Sequence, residues 1–169
     1  MQDDEGSWSN DALEPSAATA EDIERYCGGE CHVFAVALSR LTGWPMHVVT
    51  DEDEPYWSDE DGEDMIPSVI HVLCMDEEGR FWDVRGCRPG DTLFDEMTSW
   101  QPIGAYGSDT HCTEADIRHY TGCWGEDEEE EIDRPLAEFS ESDVDEATET
   151  VRRVLGAMPG FRETPAFQP

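Results

Sequence analysis

Between Cys31 and Leu41 the apolar side chains Val33, Phe34, Ala35, Val36, Ala37, Leu38 and Leu41 cover nearly the whole circumference of a helix. A helix apolar on most sides belongs inside a domain. It is expected to start near Cys31 and to stop at Gly43, with Pro45 opening the next segment. Thr19 reads as the N-cap of an earlier helix that runs to Tyr26 or Cys27 and ends at Gly28-Gly29. Thr113 opens another, to about Tyr120. A short helix over Asp91–Trp100 would carry Leu93, Phe94 and Met97. The last helix begins in Ser142-Asp143-Val144-Asp145, and its single apolar stripe (Val144, Ala147, Val151, Val154, Leu155) predicts packing on the outside of the domain.

The strand pattern falls between these helices. Met46–Thr50, Val69–Met75 and Arg80–Arg85 read as strands, and Asp76-Glu77-Glu78-Gly79 as the turn joining the last two. His71 and Asp83 therefore lie on paired antiparallel strands. They share a face only if the numbers of opposed residues add to an even sum, and a sum of 154 sets them directly opposite. The polar stretches divide the rest. Residues 1–18 form a loose acidic arm, with Trp8 and Leu13 as possible anchors. One domain spans 19–158 with an acidic insertion at 51–66, an exposed acidic run covers 125–133, and 159–169 is an irregular tail. The element order is that of a single α+β domain: a central helix on a small antiparallel sheet, with additional C-terminal helices.

Composition sharpens this picture. The 169 residues carry 42 acids against 10 bases, a formal charge of −32, and every base is arginine. Such a surface does not bind nucleic acid or anionic membranes through a basic face. It suits a basic protein partner, a mimic of nucleic-acid charge, a high-salt surface, or acidic loops that are simply solvated. A chain without lysine also offers no side-chain amine to an acyl-transferring thiol. The start Met-Gln-Asp-Asp-Glu-Gly has no secretory pattern and no run is long enough to span a bilayer, so a cytoplasmic location with reduced thiols is expected, export by a signal-independent route remaining open. The acids of 51–64 do not follow the order of a calcium loop.

The chemistry concentrates in three places. A thiol at a helix start is where a low pKa is most easily produced. His71 can serve as its base and as proton donor to a leaving group, and Asp83 can fix the imidazole tautomer. The Cys31 amide supplies one oxyanion donor; Arg25, Trp44 and Trp57 are candidates for a second. His32 reads as a pocket-lining or surface residue, because adjacent helical side chains diverge, and His47 as a strand histidine without a task. Trp44, Trp57 and Arg85 are candidate substrate contacts. Arg85 or Arg88 could receive a substrate carboxylate, or pair with one of the many local acids.

The motif Gly29-x-Cys31-x-x-Phe34-Ala35-x-x-Leu38-x-x-x-Thr42-Gly43-x-Pro45, followed by His71-Val72 and Gly79-Arg80-Phe81-Trp82-Asp83, resembles the transglutaminase-like branch of the papain-like cysteine enzymes over about a third of the chain. The resemblance implies a papain-like core with Cys31 as nucleophile, His71 as base and Asp83 as its partner. It implies peptide or amide hydrolysis, or acyl transfer, on a protein or peptide substrate and without a cofactor. Family members that have lost catalysis exist, so a non-enzymatic acidic binding module on the same fold is the alternative. A third reading, a structural zinc held by Cys27, Cys31 and His32 with His111, Cys112, Cys87 or Cys123, lacks any Cys-x-x-Cys pair.

Overall fold

Helix α2 (Cys31–Thr42) is the axis of the molecule. Val33, Phe34, Ala35, Val36, Ala37 and Leu38 are all buried, as their all-round apolar pattern predicts. Side chains the size of Phe34 and Leu38 contribute about 1.5–3 kcal/mol each through such burial. The helix ends where Gly43 turns left-handed (φ 76°) and donates its amide to the Ser39 carbonyl at 2.8 Å. The computed structural model describes residues 13–51, 57–58, 65–66, 68–92, 106–121 and 136–164. Three further helices are α1 (Ala20–Cys27), α3 (Glu114–Thr121) and α4 (Glu141–Leu155). Helix α2 packs on the sheet on one side and on α4 on another, and α1 packs against it near its start. Val144, Ala147, Val151, Val154 and Leu155 of α4 are buried in that contact and its other face is exposed. No described helix is long and apolar enough to cross a membrane.

The strands are β1 (Glu14–Pro15), β2 (Met46–Asp51), β3 (Trp57–Ser58), β4 (Met65–Ile66), β5 (Ser68–Met75), β6 (Arg80–Asp83), β7 (Gly86–Pro89) and β8 (Tyr106–Cys112). Six of them form one antiparallel sheet in the order β1-β7-β6-β5-β2-β8, while β3 and β4 make a separate two-stranded ribbon inside the acidic insertion. The fold is therefore α+β. Strands β1, β7 and β8 are additions to the sequence expectation. Gly-Cys-Arg-Pro and Tyr-Gly-Ser-Asp-Thr-His-Cys show no apolar alternation, so their neighbours in the sheet, not their own pattern, hold them extended.

The β5–β6 turn is one residue tighter than the expected Asp76–Gly79 turn. Asp76 donates its amide to the Arg80 carbonyl at 2.9 Å, leaving Glu77-Glu78-Gly79 as the loop, with Gly79 left-handed at φ 77°. The Asp76 carboxylate then accepts bonds from the amides of Glu78 and Arg80, from Arg80 Nε and from Trp82 Nε1. Burial would raise its pKa, but these donors and the Arg80 charge lower it. Cys74 faces Trp82 and Met75 faces Phe81, sums of 156 rather than 154.

Residues 14–18, expected in a loose arm, are tied down. Strand β1 pairs with β7, the Ser16 amide reaches the Arg85 carbonyl at 2.8 Å, the Ser16 hydroxyl reaches the Val84 carbonyl at 2.6 Å, and the Ala17 amide reaches Val154. Gly86 permits this approach, because a Cβ there would run into the Glu14 carbonyl. Of the expected tail, the described residues 159–164 are not free of the domain: Phe161 packs on Trp44 and Trp82, and the Thr164 amide donates to the Leu41 carbonyl. Of the expected 91–100 helix, Gly90–Thr92 forms a single 3-10 turn; the remainder, the 125–133 run, Trp8 and most of the insertion lie outside the described residues.

Helix α4 starts at Glu141 with Ser140 as N-cap. The Ser140 hydroxyl accepts the Asp143 amide at 3.2 Å and the Asp143 carboxylate takes the Ser140 amide at 2.7 Å. Ser140→Ala is expected to cost about 1 kcal/mol, read as a lower urea midpoint at unchanged slope. An unaltered midpoint would show that the box contributes nothing.

Candidate active site

Cys31 is the first residue of α2, and that helix start is built differently from the others. Helices α1 and α4 are closed by reciprocal capping boxes on Thr19 and Ser140, and Thr113 and Asp116 exchange the same bonds before α3. Helix α2 has Glu30 at its N-cap position with no side-chain cap. The Glu30 carboxylate is turned to Arg25 Nε at 2.8 Å instead. The first amides of a helix have no intrahelical acceptor, and the partial positive charge they carry favours an anion beside them. Here that field acts on the position of the sulfur.

His71 reaches Cys31 because β5 is irregular. Val49 of β2 faces His71 while Thr50 faces Val69, so β5 carries one extra residue at this point. Val69 and Val72, three apart, both pack in the core beneath α2, whereas Ile70 and Leu73 pack in the cluster on the opposite face with Val49 and Phe81. The residue that the register skips is Ile70, and beside this bulge the strict alternation of faces along β5 is broken. The β5–β6 register contributes less than the sequence suggests: even-numbered pairing holds, but with sums of 156 Asp83 lies level with Leu73. Asp83 sits at the end of β6, paired with Gly86 across the Val84-Arg85 turn.

His71 Nε2 lies 3.0 Å from Asp83 Oδ2. His71 and Cys31 also act on each other: their interaction lowers the thiol and raises the imidazole. Cys31 is 8 % exposed, His71 1 % and Asp83 2 %, so solvent reaches this group from the cysteine end. Burial alone would raise the Cys31 thiol. Hydrogen bonds with His32 and His71, and the charge of both rings, outweigh it and bring the thiol down to about 6. Burial alone would lower His71, yet its bonds to Asp83 and Cys31 raise it to about 9. The stable form at neutral pH is a thiolate facing an imidazolium. The contrast with the other cysteines is sharp: burial pushes Cys27 up to about 12 and Cys87 up to about 11, and also raises Cys74, whose Sγ donates to the Ala35 carbonyl.

Asp83 is held from several sides. Its Oδ2 accepts Arg85 at 2.6 Å and Arg88 at 2.8 Å besides His71, and its Oδ1 accepts the Arg85 amide at 2.9 Å. Burial would raise this carboxyl, but the charges of Arg88 and Arg85 and the His71 bond hold it well below the usual carboxylate range. In a chain of charge −32, two of ten arginines are spent on one buried carboxylate.

The structure brings Cys31, His71 and Asp83 together, with Arg85 on Asp83. Arg85 and Arg88 thus take the second of their two expected courses, pairing with a local acid, and the acid is Asp83 itself. Trp44 is not brought to the thiol. It packs in the core on Trp82 and Phe161 and borders a recess of ≈ 560 Å³ at the far end of α2. Eleven residues of helix put about 16 Å between the two ends. Trp57 lies in the ribbon β3–β4 and its side chain is outside the described residues. Arg25, a candidate oxyanion donor, is engaged by Glu30 and Glu146. His47 is buried against Phe81. Among the described residues five cysteines are free and no group of three His, Cys, Asp or Glu could hold a metal ion.

His32 departs from expectation. It is not at the surface but fully buried, with Nε2 2.8 Å from the Ala137 carbonyl. No local signal marks this, because the group that anchors the ring is 105 positions away in sequence. Set against models of protein families, against curated proteins and against solved structures, the chain matches none of them.

Proposed function

We propose that this protein is a cysteine enzyme with a papain-like, transglutaminase-like core that cleaves or transfers the acyl part of an amide, peptide or thioester bond through an acyl-enzyme at Cys31. The observation that carries this reading is the buried His71–Asp83 pair, Nε2 to Oδ2 at 3.0 Å, beside a Cys31 thiol at a helix start that the His71 ring lowers. Supporting it are the uncapped helix start, the thiol lowered to about 6 and the order of elements, helix first and then the two strands.

The steps follow from the protonation states. The Cys31 thiolate attacks the carbonyl carbon and a C–S bond forms. The negative charge moves to the carbonyl oxygen, toward the amides that open α2. His71 Nδ1–H then gives its proton to the departing nitrogen or sulfur as that bond breaks, leaving a thioester on Cys31. An incoming water or amine returns a proton to His71 as it attacks the thioester carbon, and the thiolate is released. Asp83 keeps His71 in the tautomer that points Nδ1 at the reaction, and the two arginines keep Asp83 ionised throughout.

An activated ester tests this directly. Incubation with p-nitrophenyl acetate is expected to release nitrophenol and leave an acetyl group on Cys31, located by peptide mass spectrometry. Cys31→Ala is expected to abolish both. Acetylation spread evenly over several cysteines, or release that survives Cys31→Ala, would refute the proposal.

A further inference from the structure

We propose that Arg88 is a positioning residue for the reaction at Cys31: from β7 it fixes the Asp83 oxygen that aims the His71 imidazole, and by sharing that oxygen it eases the ring's release of a proton to the leaving group. The inference rests on the reading of Cys31 as an activated nucleophile and adds a residue that acts through Asp83. Three donors converge on Asp83 Oδ2: His71 Nε2 at 3.0 Å, Arg85 Nη2 at 2.6 Å and Arg88 Nη2 at 2.8 Å. Oδ1 takes the Arg85 amide at 2.9 Å. A carboxylate offers about two acceptor sites per oxygen, so Oδ2 serves one donor more than it has sites. Arg85 is a local partner, reaching back from the turn that follows β6. Arg88 is placed by the sheet. It stands opposite Phe81 in the β6–β7 ladder, with Asp83 two residues further along β6. A long side chain reaches such a diagonal neighbour. Both partners are 3 % exposed, so solvent ions screen the pair little.

This arrangement acts on His71 in two ways. Rotation of the carboxylate away from the ring would break the Arg88 bond, so Nε2 keeps one acceptor in one place. The charge of Oδ2 is also divided among a ring and two guanidiniums, so it holds the imidazolium less firmly than an undivided carboxylate would. In the acid step the proton passes from His71 to the departing group, which leaves with the electron pair of its bond to the acyl carbon. The thioester stays on Cys31 and Asp83 gains no proton. The other ionisable groups around the ring are Cys31 and His32 on α2, Cys27 at the end of α1, and His47 and Asp51 on β2, each two positions from the Val49 that faces His71.

Iodoacetamide alkylation of Cys31, followed against pH, reads both members of the pair. The rate is expected to rise once as the thiolate forms and again, near pH 9, as the imidazolium beside it is lost. In Arg88→Met the upper inflection is expected to rise by about one pH unit. Arg88→Lys keeps the charge and a donor and is expected to bring it back toward wild type. An arginine with a purely structural role would lower the melting temperature and leave the upper inflection where it is; an unmoved or lowered inflection in Arg88→Met would overturn the proposal. Should that variant not fold, the wild-type chain carries the test. With Cys31 capped by iodoacetamide the thiolate is gone, and NMR of the His71 ring is expected to show its proton lost no higher than about pH 7, close to a free imidazole. A higher value would show a carboxylate undivided by the arginines and overturn the proposal. A single inflection at about pH 8.5 in uncapped wild type, as a free thiol gives, would refute the activated thiol and this proposal with it, whereas the other failures leave the thiol standing.

Discussion

Replacing Asp83 by alanine is expected to destabilise the protein by about 3–5 kcal/mol, because it removes the carboxylate on which a buried group of cations converges. The Arg88 and Arg85 guanidiniums and the His71 ring all converge on this carboxylate, and Asp83 and Arg88 are almost completely buried. Urea unfolding followed by circular dichroism measures the loss. Asp83→Asn keeps the shape without the charge and is expected to fall between the two. The pH dependence has a definite sign. The folded Asp83 is more acidic than the unfolded one, so its contribution is complete above about pH 4 and is lost as pH falls further toward the folded value. Wild type should therefore weaken on acidification below about pH 4 more steeply than Asp83→Asn. A wild-type urea midpoint in Asp83→Ala would mean that the arginines find other partners at no cost.

The second large effect is on the thiol. Alkylation of Cys31 is expected to rise through about pH 6 and level off by neutrality. At pH 7 the rate is a poor discriminator: about thirtyfold more thiolate than in an ordinary cysteine is nearly offset by the lower nucleophilicity of a more acidic thiol. At pH 6 the balance clears, and Cys31 should react about tenfold faster than a free cysteine. His71→Ala is expected to raise the midpoint and remove most of that advantage.

Folding stability should not follow this profile. Taken singly, a thiol lowered from 9.0 to about 6 stabilises at high pH and loses that contribution as pH falls through 6. An imidazole raised from 6.5 to about 9 stabilises at low pH and loses it as pH rises through 9. Between about 6.5 and 9, however, folded and unfolded chains hold one proton across this pair, on His71 in the first and on the thiol in the second. Equal proton counts give no slope. Reactivity that switches on near pH 6 over a flat stability is the signature of an exchanged proton; a stability curve tracking the alkylation curve would show that the pair does not form.

Much of this site was legible from residue order alone. The apolar circumference of 33–41 marked a buried helix, its first residue was a cysteine, and two strand-like runs carried a histidine and an aspartate. What escaped was set by groups remote in sequence or by departures from regular geometry. His71 lies beside a bulge that periodicity of two does not contain. Arg88 reads as an ordinary surface base until β7 pairs with β6 and buries it. His32 is held by Ala137, and β8 is a strand only because β2 offers it a ladder. The caps, by contrast, are local: Thr19 and Thr113 announce their helices without help, while the last helix opens at Ser140, two residues before the Ser142 start its sequence suggests.

The short strand at Glu14–Pro15 has a consequence beyond its size. With Ser16 it is latched to the backbone of Val84 and Arg85, the two residues that carry the chain from the relay carboxylate into the next strand. The bend that aims the Arg85 guanidinium is thus clasped from outside by the polypeptide's leading segment. Tension applied upstream of Ala17 is transmitted through that clasp to the anchor of the imidazole, so the beginning of the chain and its chemistry share one mechanical linkage.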